Sequence, residues 1–179
     1  MPHRFPLNTE KAPNAVLEVM LRLKVKDAMT KVVFAGKKRD TLRQMQYLMK
    51  NKGITGVPIL DEERLVGMVS VNDIISALDF GYIDEPAENY MTKSLIVLED
   101  DMPLSFAISY FDKYPYRRFP VIDKEKKFSG MISSRDVLSA LLRELNDEIS
   151  ELESRINSGK NDVENLIKRE YAIQKFNFE

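Results

Sequence analysis

A chain of 179 residues with 44% hydrophobic content holds enough apolar material for one ordinary domain or two small ones without a covalent staple. It has no cysteine, and its single histidine is His3, which excludes a disulfide framework, a thiolate metal site and a cysteine nucleophile and leaves little for histidine-based acid–base or metal chemistry. Lys and Arg number 27 against 28 Asp and Glu, a net charge of −1, unlike the basic balance of a nucleic-acid binder; apolar runs such as Ile54 to Leu60 are far shorter than the ~20 residues that span a bilayer, so a cytoplasmic protein with neither nucleic acid nor membrane as partner is expected.

In chain order, Ala12 to Leu23 reads as a leading helix, and Val32 to Ala35 as a short β-branched and aromatic strand. Thr41 to Asn51 carries Leu42, Met45, Leu48 and Met49 at helical spacing, and Gly53 closes it. Val57 to Leu60, the charged turn Asp61 to Arg64, and Leu65 to Val69 make a hairpin, and a second helix begins at Asp73. Phe80 to Glu88, with a Gly and a Pro, is the connection. The same order then returns: Leu95 to Leu98, Pro103 to Tyr114, Pro120 to Asp123, Phe128 to Ser133, and Asp136 onward. Lys37-Lys38-Arg39 reads as a solvated loop, and the methionines Met20, Met29, Met45 and Met49 as core filler.

The return is a repeat in sequence as well as in pattern. Met29-Thr30-Lys31 falls on Met91-Thr92-Lys93 at a spacing of 62 residues, as do Leu42 on Leu104 and Pro58 on Pro120. Past Asp123 the spacing becomes 63, and Gly67-Met68, Ser70 and Asp73 fall on Gly130-Met131, Ser133 and Asp136. An α/β (α+β) fold follows, of two β-α-β-β-α repeats packed with pseudo-twofold symmetry. A unit of about 60 residues buries both faces of a small sheet only with help from its neighbour. The expected organisation is an N-terminal arm and helix over 1–24, repeats over 25–80 and 87–142, a linker over 81–86, and a helical extension over 143–179.

Ser70-x-x-Asp73 and Ser133-x-x-Asp136 each end a strand and open a helix. The pattern is that of a capping box; equally, a helix N-terminus with a serine hydroxyl holds phosphate, while the carboxylate accepts from ribose hydroxyls. Arg117-Arg118 precedes Pro120 where the first repeat has Thr55-Gly56. The pair reads either as solvated cations beside an edge strand or as a phosphate ligand, for which a guanidinium supplies bidentate hydrogen bonds.

The motif sets "VKDAMTKVV" with "AENYMTKSLIV", "ITGVPILD" with "YRRFPVID", and "GMVSVNDII" with "GMISSRDVL" resemble the cystathionine-β-synthase-type (CBS) domain, twice over, as in a Bateman module. The resemblance covers roughly residues 25–142. It implies a non-catalytic sensor of an adenosine-containing ligand (AMP, ADP, ATP or S-adenosylmethionine), with no catalytic residue, no metal and no other cofactor. It also implies crossed sites. One would combine Ser133 and Asp136 with Thr30, Val33, Phe34, Val57 and Pro58, with Arg117 near the phosphate. The other would combine Ser70 and Asp73 with Thr92, Leu95, Ile96, Arg118 and Pro120. The first repeat lacks a basic residue before its proline, which separates the two sites.

Beyond the repeats, Leu138, Leu142, Leu145, Ile149, Leu152 and Ile156 alternate in steps of four and three, nearly three heptads of an a/d seam. Asn157-Ser158-Gly159 interrupts it, Asn161-x-x-Glu164 resembles a fresh N-cap, and Val163, Leu166, Ile167 and Tyr171 form another stripe. The extension is therefore either a dimeric coiled coil or a hairpin folded back on the module. The expected protein is a homodimeric regulatory module that relays ligand occupancy through these helices to an unknown downstream protein. Its rival is a ligand-free dimerisation module whose helices mediate protein–protein interaction; no catalytic constellation is assembled.

Overall fold

Thr41 shows how locally the first helix is set. In the computed structural model, which describes residues 15–176 and side chains over 19–158, the Thr41 hydroxyl accepts from the Gln44 amide at 3.2 Å, and the Gln44 side chain accepts from the Thr41 amide at 2.7 Å. This capping box opens α3 (Leu42–Lys52), and Gly53, at φ 63°, closes it in the left-handed conformation that glycine adopts without strain. The helix connects two parallel strands, β1 (Gly36–Lys37) and β2 (Gly56–Asp61), and β2 turns through a hairpin into β3 (Arg64–Ser70), giving sheet order β1-β2-β3. Helix α4 (Val71–Asp79) follows. The second repeat has the same order, with β4 (Leu98–Glu99), α6 (Leu104–Lys113), β5 (Arg118–Ile122) and β6 (Phe128–Ser133). Preceding these elements are α1 (Ala15–Arg22) and two one-turn helices, α2 (Val25–Ala28) before β1 and α5 (Ala87–Tyr90) before β4. Residues 12–14 of the expected leading helix, and His3, lie outside the described residues.

The expected first strands sit elsewhere. Val32 to Ala35 and Leu95 to Val97 lie outside the ladders, which begin at Gly36 (opposite Ile59) and Leu98 (opposite Val121). Their apolar side chains suggested strand, yet Val32 is 87% and Phe34 44% exposed; Val32 to Phe34, and Leu95 with Ile96, line hollows rather than a sheet.

What lies before each ladder is exchanged between the repeats. Thr30 makes a single antiparallel bridge to Met131 of the second repeat, with Thr30 N donating to Met131 O at 2.8 Å and Met131 N to Thr30 O at 3.0 Å. Thr92 bridges Met68 of the first repeat in the same way. The one-turn helices cross as well. Lys26 N donates to Asp100 O at 2.9 Å, and Glu88 N to Lys38 O at 3.1 Å. The free amide of Leu42 at the start of α3 is satisfied by Glu85 O at 3.0 Å, and that of Leu104 at the start of α6 by Leu23 O at 2.8 Å. The hydrophobic core of the first repeat, built on Leu42, Val57, Ile59 and Val69, accordingly includes Ala87 and Met91 from the far side of the connection. A fully buried side chain of this size contributes about 1.5–3 kcal/mol relative to exposure. At the corner of the second repeat, Asp101 accepts from Lys124 at 2.7 Å, Lys26 at 2.6 Å and Lys24 at 3.2 Å. Hydrogen bonding to these ammonium groups, Lys124 first, holds its carboxyl well below the usual range.

The first compact unit ends at Ala140; the remainder of α7 (Ser134–Phe176) forms the second. The helix runs unbroken for 43 residues through Asn157-Ser158-Gly159, so the hairpin alternative is set aside and Asn161 opens no new helix. One glycine disfavours a helix by only about 1 kcal/mol relative to alanine. Leu138, Leu142, Ile149, Leu152 and Ile156 are each 53–57% exposed; the side chains of Val163, Leu166, Ile167 and Tyr171 lie outside the described ones. Among the described residues, no helix is long and apolar enough to cross a membrane.

Candidate functional site

Both Ser-x-x-Asp motifs form complete capping boxes. Ser70 ends β3 and caps α4: its hydroxyl accepts from the Asp73 amide at 3.3 Å, while Asp73 Oδ2 accepts from both the Ser70 amide and hydroxyl at 2.7 Å. Ser133 and Asp136 repeat this at the start of α7, with 3.2 Å for the amide of Asp136 and 2.7 and 2.5 Å for the two bonds into Asp136 Oδ2. In each carboxylate, structure uses one oxygen. Oδ1 of Asp73 and of Asp136 has no hydrogen-bond partner among the described residues, so capping and ligand contact do not compete for the same atom.

Because the segments before the ladders cross over, each box faces the other repeat across a hollow. The first hollow, about 250 Å³, is lined by Ser70 and Asp73 together with Thr92, Leu95, Ile96, Arg118 and Pro120. All seven residues expected together from the sequence line it, and Met68, Ser94, Tyr116 and Phe119 complete the wall. The second, about 340 Å³, places Ser133 and Asp136 against Thr30, Val33 and Phe34. Ligand pockets are commonly ~300–1,000 Å³, so the second hollow lies at the small end of that range and the first just below it. Each combines apolar lining residues with a hydroxyl, a carboxylate and a guanidinium, which suits a flat apolar ring joined to a polar, anionic group.

Three residues are placed otherwise than expected. Val57 and Pro58 do not line the second hollow; both are fully buried, Val57 paired with Val69 and Pro58 with Met68 in the β2–β3 ladder. The chain just before them lines it instead, through Ile54 and Gly56. Arg117 lines neither hollow, whereas Arg118 lines both. Successive side chains of extended chain point to opposite sides, so one residue of register decides which arginine is useful.

The second hollow also has Arg135, absent from the expected set, beside Arg118. The signal that singles out Arg118 also marks Arg135: a cation stands where the first repeat has Asn72. Phe34 is further covered by the Lys52 ammonium, 4.5 Å from its ring centroid. Tyr116 belongs to an aromatic cluster in which it meets Phe119, three residues further along the chain, edge-on at 6.1 Å.

The CBS domain family matches residues 25–79 and 87–143. A 17.7 kDa protein of Acidianus ambivalens is 30% identical over 120 residues, covering 66% of this chain and 73% of that one. An inosine-5'-monophosphate dehydrogenase of Aquifex aeolicus is 34% identical over 106 residues, which cover 56% of this chain and 21% of the enzyme. The chain spans 44% and 40% of the lengths of two relatives from Methanocaldococcus jannaschii. Among solved structures, that of CBSX2, a CBS-pair protein of Arabidopsis thaliana, in complex with AMP is 29% identical, with a TM-score of 0.60 over 67% of this chain and 96% of that one. With two copies of the domain matched in order over more than half of its length, the chain belongs to the CBS-domain family and carries a tandem CBS pair.

Proposed function

We propose that this CBS pair is a regulatory module that binds an adenine nucleotide, AMP or a close relative, in the hollows between its repeats. One observation carries the reading. In each hollow a carboxylate is fixed by its own capping box with Oδ1 left over, in a lining that also holds apolar residues and Arg118. The ring lies against Leu95 and Ile96 or Val33 and Phe34, the ribose hydroxyls donate to Oδ1, and the phosphate meets the guanidinium. The AMP complex of CBSX2 supports the same class of ligand. Titration calorimetry and thermal melts with AMP, ADP, ATP and S-adenosylmethionine test it, since a ligand of the native state raises Tm. Asp73→Ala and Asp136→Ala are expected each to remove one binding event. No response to any of the four ligands returns the module to a ligand-free structural role.

The first turn of α7 lines the second hollow, and the same helix continues as the second unit. The exposed seam from Leu138 to Ile156 favours a second copy of this chain as its partner, because an a/d stripe of Leu and Ile is complementary to itself. Light scattering is expected to give a dimer for the full chain and a monomer for one ending at Leu142. A dimer that survives the truncation moves the interface to the CBS pair.

A further inference from the structure

The two hollows have one capping-box aspartate each but share one cation between them. Arg118 lines the first with Ser70 and Asp73 and the second with Ser133 and Asp136. The matching position in the first repeat is Gly56, which lines the second hollow and offers no side chain. No steric reason demands that glycine. An added Cβ would meet Met68 Cε at 3.5 Å and Val69 O at 3.7 Å, ordinary contact distances, and its φ is not left-handed. The gap lies on the path of the arginine, whose Nη1 reaches into the first repeat and donates to Thr55 Oγ1 at 3.4 Å, a long bond for this type. Among the described residues no ion pair holds the guanidinium to either side.

We infer that Arg118 is a phosphate ligand common to both sites and makes them antagonistic: a nucleotide in either hollow recruits the guanidinium and leaves the other hollow without it. This rests on the adenine-nucleotide reading above and adds the regulation of the same sites. The guanidinium carries its five N–H donors on the edges of one plane, so turning an edge fully onto a phosphate in one hollow draws those donors away from the other. Arg135 stays with the second hollow, so that site is weakened rather than silenced when the first fills. By linkage the penalty is the same whichever site fills first.

Calorimetry of the full chain with AMP and with adenosine separates the possibilities. Asp73→Ala and Asp136→Ala each leave one hollow, giving the two intrinsic AMP affinities. In the unaltered chain the second AMP is expected to bind at least ~5-fold more weakly than those values require, the lower end of ordinary coupling between sites, whereas two adenosines show no such deficit. Arg118→Ala is expected to lower AMP affinity and abolish the deficit. Gly56→Arg, which adds a cation at the second hollow and frees Arg118 for the first, is expected to abolish the deficit; if that variant fails to fold, Arg118→Ala still decides. AMP filling both hollows at their intrinsic affinities overturns the inference, as does a deficit that survives Arg118→Ala, which would reflect repulsion between phosphates. Adenosine binding as tightly as AMP overturns it while leaving the adenine site in place, and failure of both ligands to bind removes the reading beneath it.

Discussion

The two repeats build the same core corner from opposite pairs. In the first, Gly36 lies against Met45, whose Sδ and Cε would stand 2.5 and 2.8 Å from a Cβ added to the glycine. At the matching positions the second repeat has Leu98 and Ala107, both fully buried: the bulk has moved from helix to strand and the space remains filled. Charge is exchanged in the same manner where the one-turn helices dock. Lys26 of α2 meets acidic Asp100 and Asp101, whereas Glu88 of α5, its counterpart, meets Lys38. Each docking segment thus matches the other repeat's corner and would face like charge in its own. The hollows differ from both cases. Arg118 against Gly56, and Arg135 against Asn72, have no offsetting change across the pair. Differences that cancel maintain a fold; those that do not cancel mark where the halves perform different tasks.

The core exchange gives the largest expected effect. Leu98→Ala is expected to destabilise by about 3 kcal/mol, through lost burial and a cavity, read as a lower denaturant midpoint. Adding Ala107→Met should recover much of that, although Ala107→Met alone overpacks the site and destabilises by roughly 1–3 kcal/mol. Simple additivity of the two changes would break the equivalence.

Next come the glycines at the crossing. A Cβ at Gly130 would lie 2.5 Å from the Thr30 carbonyl oxygen, which the bridge to Met131 holds in place, whereas at Gly67 its three nearest neighbours are all atoms of the Met91 side chain. Gly130→Ala is expected to lower stability by about 2 kcal/mol and Gly67→Ala by less, because methionine can repack and a bridged backbone cannot. Equal losses in chemical denaturation would show that the backbone bridge yields as readily as a side chain.

The smallest effect lies at the charged corner. Asp101 has a depressed pKa in the folded protein, so its contribution is fully present above the unfolded value near 4 and disappears as pH falls through the lower folded value. Asp101→Asn should therefore lower Tm at neutral pH and flatten its fall from about pH 5 downward. Raised salt is expected to shrink the difference between the two proteins. An acid limb of unchanged steepness would assign that limb to other carboxylates.

Much of this architecture is legible in the sequence because it is local. Helical spacing, the hairpin turns and the two Ser-x-x-Asp boxes depend on neighbours a few residues apart, and the 62-residue spacing exposes the duplication directly. The first strands are misplaced because Val32 to Phe34 and Leu95 with Ile96 are apolar for a different purpose: apolar residues lining a cavity and those filling a ladder look alike in one dimension. The exact reach of β2 is hidden for a related reason. Val57 and Pro58 are as apolar as a binding wall requires, but pairing with Val69 and Met68 takes them into the core. Choosing Arg118 over Arg117 needs the register of β5, which neither composition nor periodicity supplies. The unbroken α7 is a contest between a weak stop signal and a long run of helix-forming residues, decided by a margin of about 1 kcal/mol per unfavourable residue.

The exchanged docking segments also make the chain separable without making it divisible. A nick at Gly81, an exposed residue with φ 78° beyond the end of α4, would leave each piece holding the plug for the other's empty socket, with opposite charges labelling the two sockets. Such fragments should remain unstructured apart and reassemble only as an unlike pair, the behaviour wanted of a split reporter whose halves ignore themselves.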